Sequence, residues 1–509
     1  LEALLRRSFG APAAPAPRPR LERLRARVAA TGAAIPGWVP LAIVIAGAVG
    51  YAGFLGFHTW RAHQRFGTYG YDLGQFVSLF SNTLAGRWMR VPPLGLFENW
   101  QELRNHAHFG IFVLMPIYAL KPGPEILLWI QATMLGSSAI PIFLFARRRL
   151  PAWIAMTVAF AYLMYAPLHS LSFYDIHMQP IASAFVLWAI FFVDRRNYVA
   201  YFLFFLFAMS CREDVPIGLA MLGLWLALSG THVRVGLATF VLAAVYFVLI
   251  RFVIMPSFGH WGFEGIYQDL TPTRDRSFAG VVKTMVTNPG FVLVRFFTWE
   301  KVGYFFLMLA PVAYLPVRRV WLWPVLVVWC LVTLLTTNHP PGLDIAFQYG
   351  AHFVAYAFPA AALALAAYGH EQRIARTTAA LTLVFAAFSA NILWGLFSPR
   401  PTIRGGFQTV AFTPPTEEHR QKARDLAELA AMVPRDDRVA VTEPELPHVA
   451  ATHLNIVSLR DGLFDAPWLL YDPNSHGHNV GDDAQRAGLY EIAALRPHLK
   501  LLRRVKAAP

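Results

Sequence analysis

Five short stretches of this 509-residue chain concentrate the residue types that do chemistry. YGYDLGQF places Asp72 among glycines and aromatics, and FENWQELRNHAHFG supplies Glu98, Glu102, Arg104, His106 and His108. HSLSFYDIHMQP carries Asp175 and His177, and CREDVP carries Arg212, Glu213 and Asp214. TNHPPGLDIAFQYGAH adds His339, Asp344, Gln348 and His352. Carboxylates such as Asp72, Asp175 and Glu213 are candidates for proton transfer, since a general base must be an acceptor held at the reacting proton. Arginine recognises phosphate oxygens through several fixed donors, so Arg104 and Arg212, with His106, His108, His177, Asp214 and His339, form the candidate substrate-binding set. Asp72, Asp175 and His177, or the carboxylates with one histidine, are also candidate ligands of a divalent cation. Mg²⁺ would prefer the carboxylates, and a bound imidazole would favour Mn²⁺ or Zn²⁺.

Each group has a blander reading. Asp72 can cap a helix starting at Leu73 or Gly74 by accepting from its first free amides. His106 and His108, two apart, face each other only on an extended segment. Arg212 and Glu213 can form a local ion pair, and Pro180 and Pro216 suit helix starts, where a missing amide costs nothing. What sets the clusters apart is their position at the ends of apolar segments, where ionisable side chains default to a functional hypothesis.

The elements that position them are membrane helices. The chain is 56% hydrophobic and 15% charged, with a mean hydropathy of +0.43, whereas soluble domains carry about 25% charged residues. A hydrocarbon core demands roughly 20 apolar residues per helix. Eleven segments answer to this: 39–57, 125–146, 152–168, 180–193, 198–212, 215–229, 235–254, 301–317, 320–337, 351–369 and 374–397. The stretch 109–120, with Pro116 inside it, reads as interfacial. If it does not cross, then Arg147 to Arg149, Arg195 and Arg196, Arg318 and Arg319, and Arg373 and Arg376 all fall in the cytoplasm, as cationic flanks do. The basic, Pro-rich residues 1–35 are expected to be a disordered cytoplasmic tail before a signal anchor, not a cleaved signal peptide. This topology leaves outer segments at 58–124, at 255–300 and from 398 onward.

The net charge of +14 does not indicate nucleic-acid binding. Residues 413–509 hold 12 Lys plus Arg and 14 Asp plus Glu, so the excess lies on the membrane flanks and tail and forms no nucleic-acid motif. Cys211 and Cys330 lie in or beside apolar segments and predict neither a disulfide nor a metal site. Residues 413–509 read as a soluble α/β domain on the outer face. An amphipathic helix over 417–437 precedes a strand at 438–444, a helix at LPHVA and a strand at NIVSL. The tail YEIAALRPHLKLLRRVK reads as one more helix and strand.

The motifs YDLGQF, NHAHFG, LLWIQA, FARRRL, FYDIHMQP and CREDVPIG, in this order across roughly residues 60–400, resemble the prokaryotic membrane proteins grouped as domain of unknown function 2079. That family in turn resembles the GT-C superfamily of polyprenyl-phosphate-sugar glycosyltransferases. The resemblance implies an all-α, GT-C-like transmembrane domain over 36–400 in the prokaryotic cytoplasmic (inner) membrane, with about eleven spans. It also implies an inverting transfer of sugar from a lipid-linked donor to an extracytoplasmic glycan, lipid or protein acceptor. Asp72 matches the acidic residue that follows helix one in GT-C proteins and acts there as base or metal-associated carboxylate. Two positions depart from the family pattern. Gln179 stands where an acidic residue is expected, and Gly110-Ile111 replaces Ser-Pro after His108, which should loosen that turn. The other function classes are a transporter or flippase, which usually shows broken helices at mid-membrane, and a non-catalytic accessory subunit presenting its outer domain.

Overall fold

The computed structural model describes residues 36–259, 263–272, 277–337 and 339–505. The expected cytoplasmic tail, 1–35, lies outside them, as do 260–262 and 273–276 of the second outer segment. The chain divides into Leu1–Ile43, described only from residue 36, and Val44–Pro509.

Helix α1, Val39–Gln64, spans that boundary. Among the described residues five helices are long and apolar enough to cross a bilayer: Val39–Gln64, Pro124–Arg147, Val233–Ser257, Gln348–Ala366 and Arg373–Trp394. Their burial separates a centre from a periphery. Within their apolar windows, Gln348–Ala366 is 89% buried and Pro124–Arg147 67%, against 22% for Val233–Ser257 and 33% for Arg373–Trp394. Peripheral helices therefore turn Val241, Val245 and Phe385 outward, a surface that suits lipid better than water.

The remaining predicted spans are shorter or broken. Segment 152–168 is two helices, Ala152–Leu163 and Ala166–Phe173, bent by 45°. Helices α2, Met178–Asp194, α3, Tyr198–Cys211, and α4, Val215–Leu228, are apolar but have 17, 14 and 14 residues. Fourteen residues rise only about 21 Å, less than a hydrocarbon core of about 30 Å. Polar segments end them: Arg212 takes an extended backbone after α3, and His177 does so before α2. Segment 301–317 is an eleven-residue helix, Trp299–Leu309, followed by 3₁₀ turns. The stretch expected to be interfacial contains an eight-residue helix, Ile111–Tyr118, about 12 Å long and too short to span. Helix α5, Ala351–Ala366, forms the buried centre.

Beyond α5 and Arg373–Trp394 comes a hairpin that the sequence did not announce. Strands β1, Thr402–Gly405, and β2, Gln408–Ala411, pair antiparallel. The hairpin docks on the segment before Asp175 so closely that a Cβ on Gly405 would lie 2.4 Å from the Phe173 carbonyl carbon. Gly406 combines a φ of +60° with a phantom Cβ 2.1 Å from the Tyr174 ring, so glycine is required there on both counts.

The C-terminal domain is α/β, as its alternating pattern predicted. Strands β3, Val439–Val441, β4, Ile456–Ser458, β5, Trp468–Tyr471, β6, Tyr490–Arg496, and β7, Leu499–Arg504, form one sheet in the order β4-β3-β5-β7-β6. The first three are mutually parallel and β7 and β6 antiparallel. Helix Glu417–Ala431 opens the domain with a capping box in which the Thr416 side chain receives the His419 amide. The tail is two strands where a helix and a strand were expected. Leu502 of β7 packs in the core with Val457 and Leu469, while β6 forms the sheet edge with Ile492 and Leu495 exposed. Strand β5 and helix His478–Arg486 were not anticipated.

Candidate functional site

Asp72 does not cap a helix. It lies inside a five-residue π-helix, Gly70–Gly74, with no side-chain cap at its start. Such widened turns are rare and frequently mark functional sites. The C-terminal domain holds this turn in place. Just beyond β3, the Glu443 carbonyl accepts from the Gly70 amide at 2.7 Å, and its carboxylate accepts from the Tyr71 amide at 2.9 Å. The Ser458 hydroxyl donates to the same carboxylate at 2.7 Å. A Cβ on Gly70 would lie 3.1 Å, and one on Gly74 2.4 Å, from Leu446 side-chain atoms, so the two glycines of YGYDLG permit this approach. Arg460 stacks over the Tyr71 ring at 5.1 Å.

Opposite Asp72 stands His177, its Nε2 3.5 Å from Asp72 Oδ1. Its Nδ1 lies 3.2 Å from the Tyr174 carbonyl. A carbonyl only accepts, so Nδ1 carries the proton and Nε2 is left facing the carboxylate. Gln131 fixes the loop: its Oε1 accepts from the His177 amide at 2.8 Å, and its Nε2 donates to the carbonyls of Leu171, Tyr174 and Asp175. Asp175 adopts a φ of +23° within this clamp. Its carboxylate is fully buried and accepts from the Tyr69 amide at 3.4 Å. Burial, reinforced by the nearby charge of Asp72, raises its pKa to about 8.

The third component is the cluster around CREDVP. Arg212 follows α3, and its Nε lies 3.6 Å from Glu213 and 3.7 Å from Asp214. Glu213 also meets His106 Nδ1 at 2.8 Å and accepts from the Ala107 amide at 3.1 Å. Asp214 meets His352 Nε2 at 3.2 Å. Burial opposes ionisation of both carboxyls, yet His106 and Arg212 hold Glu213 well below its ordinary range, and Arg212 and His352 hold Asp214 below its own. Burial lowers the His106 pKa, with Arg212 adding to the effect, and its Nδ1 hydrogen-bonds to the Glu213 carboxylate. His108 pairs with Glu102 at 3.0 Å. Burial lowers the histidine and raises the acid, which leaves that pair uncharged. Gly110 packs tightly: its amide donates to the Ser210 carbonyl at 2.7 Å, and a Cβ would sit 3.0 Å from the Cys211 Cα. The Gly110-Ile111 departure therefore closes this turn against α3, where loosening was expected.

These parts enclose a cavity of about 440 Å³. Of the predicted residues, Asp72, Arg104, His106, His108, His177 and Arg212 line it, as do Gln179 and Gln348. Asp175, Glu213, Asp214 and His339 do not. Asp175 is turned under the Tyr69 amide, Glu213 is occupied by His106 and the Ala107 amide, and Asp214 is occupied by His352. His339 reaches the wall only through a 2.7 Å hydrogen bond to Tyr349. Asp175 and Glu213, expected to be catalytic, therefore sit behind the cavity lining and not in it. The expected metal set fails on the same ground: with Asp175 turned away, Asp72 and His177 remain, and among the described residues no three His, Cys, Asp or Glu side chains converge to hold an ion. Sequence reasoning missed Gln131, Tyr174, Glu443 and Asp461, the last of which also lines the cavity. Only Glu443 had a signal, an acid just past a strand's carboxyl end, where ligands of open α/β sheets gather.

Fold and site together define a polytopic membrane protein with a helical domain. The chain belongs to the family described as Predicted membrane protein (DUF2079), whose model matches residues 62–474. No curated protein matches it. Among solved structures it is similar to ArnT from Cupriavidus metallidurans bound to undecaprenyl phosphate, at 12% identity and a TM-score of 0.51, covering 93% of this chain and 100% of that one. The apo state of the same protein aligns at 13% identity and a TM-score of 0.50, over 92% and 98%. At such identity the likeness shows the fold.

Proposed function

We propose that this protein is an inverting glycosyltransferase of the prokaryotic cytoplasmic membrane, taking sugar from a polyprenyl-phosphate donor to an acceptor on the face where the Asp72 cavity opens. The observation that carries the reading is the opposition, in one cavity, of a carboxylate–imidazole pair and two guanidinium groups. Asp72 would accept the proton of the acceptor hydroxyl as its oxygen attacks the anomeric carbon, and His177, its Nε2 3.5 Å away, would orient the carboxylate. The bond from that carbon to the phosphate oxygen breaks with its electron pair, and the lipid phosphate departs toward Arg104 and Arg212. Arg104 is exposed at the cavity and has no carboxylate partner among the described residues, so its charge is available to the phosphate. Arg212 is already balanced by Glu213 and Asp214 and serves more to orient than to neutralise. Behind those two carboxylates lies an apolar recess of about 190 Å³ lined by Ile217, Phe247, Val282, Met285 and Leu331, which would take the first isoprene units. The binding of undecaprenyl phosphate by ArnT supports a carrier of this class. We take the remaining helices to complete about eleven spans, with the N-terminus cytoplasmic and the α/β domain outside.

The test is consumption of a radiolabelled polyprenyl-phosphate sugar by purified protein in liposomes. Asp72→Asn should reduce turnover by about 10²- to 10⁴-fold, the usual contribution of a positioned base, with folded yield retained. Equal turnover by wild type and variant would remove Asp72 from the mechanism.

A further inference from the structure

A second cavity, of about 840 Å³, lies at the other end of the same helices. Helices α2, α4 and α5 begin beside the Asp72 cavity with Met178, Val215 and Ala351, and their last turns line this one with Asp194, Leu226 and Leu363. The two cavities are therefore about 20–25 Å apart along the bundle, near opposite surfaces of the membrane-spanning unit. At 840 Å³ this cavity is toward the upper end of ordinary ligand sites.

Its chemistry is divided. The depth is apolar, walled by Leu222, Leu226, Val325, Ala360 and Leu363. The mouth holds three guanidinium groups, Arg148, Arg149 and Arg196, against one carboxylate, Asp194. Arg148 Nε lies 2.6 Å from Asp194, and Arg149 grips the same group. Arg196, held at a φ of +58°, meets no carboxylate among the described residues. Burial and Arg196 both keep His232 neutral at the rim, so it adds no compensating charge. Between mouth and depth Trp225 stacks on Trp321 at 6.0 Å, and its buried indole Nε1 has no acceptor. The cavity thus offers donors and positive charge at one end and a dry wall behind them. Water would satisfy the mouth but not the depth, because water stays only where it finds two to four polar partners.

We propose that this cavity binds an anionic membrane phospholipid, its phosphate against Arg196 and Arg149, its ester oxygens within reach of the Trp225 indole, and one chain laid between α2, α4 and α5. The site is independent of the glycosyl-transfer reading. A free phosphate would use the mouth alone, so the chain contact distinguishes a lipid from a soluble anion.

The experiment is native mass spectrometry of the full-length protein released from nanodiscs of phosphatidylcholine containing one-tenth phosphatidylglycerol. Phosphatidylglycerol should be retained over phosphatidylcholine, after correction for abundance, by about fivefold per excess cation. Arg196→Gln should lower that enrichment about fivefold, while Arg486→Gln on the distant α/β domain leaves it unchanged. Ala360→Trp, which fills the depth and keeps every cation, should abolish retention; if that variant does not fold, Arg196→Gln decides alone. Equal retention of the two lipids, or unchanged enrichment in Arg196→Gln, overturns the proposal. So does displacement of the retained lipid by glycerol phosphate at equal concentration, which would assign the mouth to a soluble anion.

Discussion

The two halves of the Asp72 cavity are held by opposite strategies. The Arg212 half is local and charge-balanced: three consecutive residues place one cation and two carboxylates together, and His106 and His352 hydrogen-bond to Glu213 and Asp214. The Asp72 half is assembled from a distance. Its turn is hydrogen-bonded by Glu443, 372 residues away, and its facing histidine is set by Gln131. Asp72 itself meets His177 at 3.5 Å and the Tyr174 hydroxyl, and it lines the cavity. The half whose charges offset one another is suited to rigidity, and the half whose carboxylate lines the cavity is where we propose proton transfer.

Substitutions can break this contrast in decreasing order of effect. Asp72→Asn should abolish turnover without unfolding the protein. Arg212→Ala should show first as lost stability, because removing one member of a buried ion network leaves carboxylates uncompensated, at about 3–5 kcal/mol. Thermal unfolding in detergent would show it as a fall in midpoint, and restoration by Arg212→Lys would require only charge. Glu443→Ala should cost less, about 1–3 kcal/mol for the amide and hydroxyl donors it leaves unpaired. Its signature would be a lowered kcat with the C-terminal domain still folded, read by turnover together with proteolysis of that domain.

The smallest effect concerns pH. The Asp175 carboxyl has its folded pKa raised to about 8 by burial and by Asp72, above an ordinary value near 3.8. The folded state therefore binds this proton more tightly than the unfolded state. The resulting stabilisation is fully present below about pH 4 and is lost progressively as pH rises toward 8. Asp175→Asn, a neutral acceptor of similar shape, should flatten the unfolding midpoint across pH 5–8 relative to wild type. An unchanged slope would mean that another group dominates it.

Much of this was legible in the sequence for identifiable reasons. The membrane class followed from apolar runs that water cannot accommodate. Asp72, His177 and Arg212 stood out because charge beside an apolar segment is costly and therefore purposeful. The division between groups that face the cavity and groups behind it was not legible, since a carboxylate between apolar segments looks the same whether it accepts from a backbone amide, as Asp175 does, or lines the cavity, as Asp72 does. Nor could spacing reveal Glu443, whose contact to Tyr71 depends on how a soluble domain docks. The β1–β2 hairpin was hidden for a similar reason: Gly405 and Gly406 read as loop residues until the Phe173–Tyr174 backbone is seen against them. Tail residues 490–504 misled by short-range ambiguity, and the pairing of β7 with β5 and of β6 with β7 made them strands.

The most direct measurement is a cryo-electron microscopy structure of the protein in nanodiscs with a polyprenyl phosphate. The account predicts phosphate density between Arg104 and Arg212, chain density entering the recess beside Ile217 and Val282, and Asp72 facing the headgroup. A phosphate bound away from both arginines, with the Asp72 cavity empty, would contradict it.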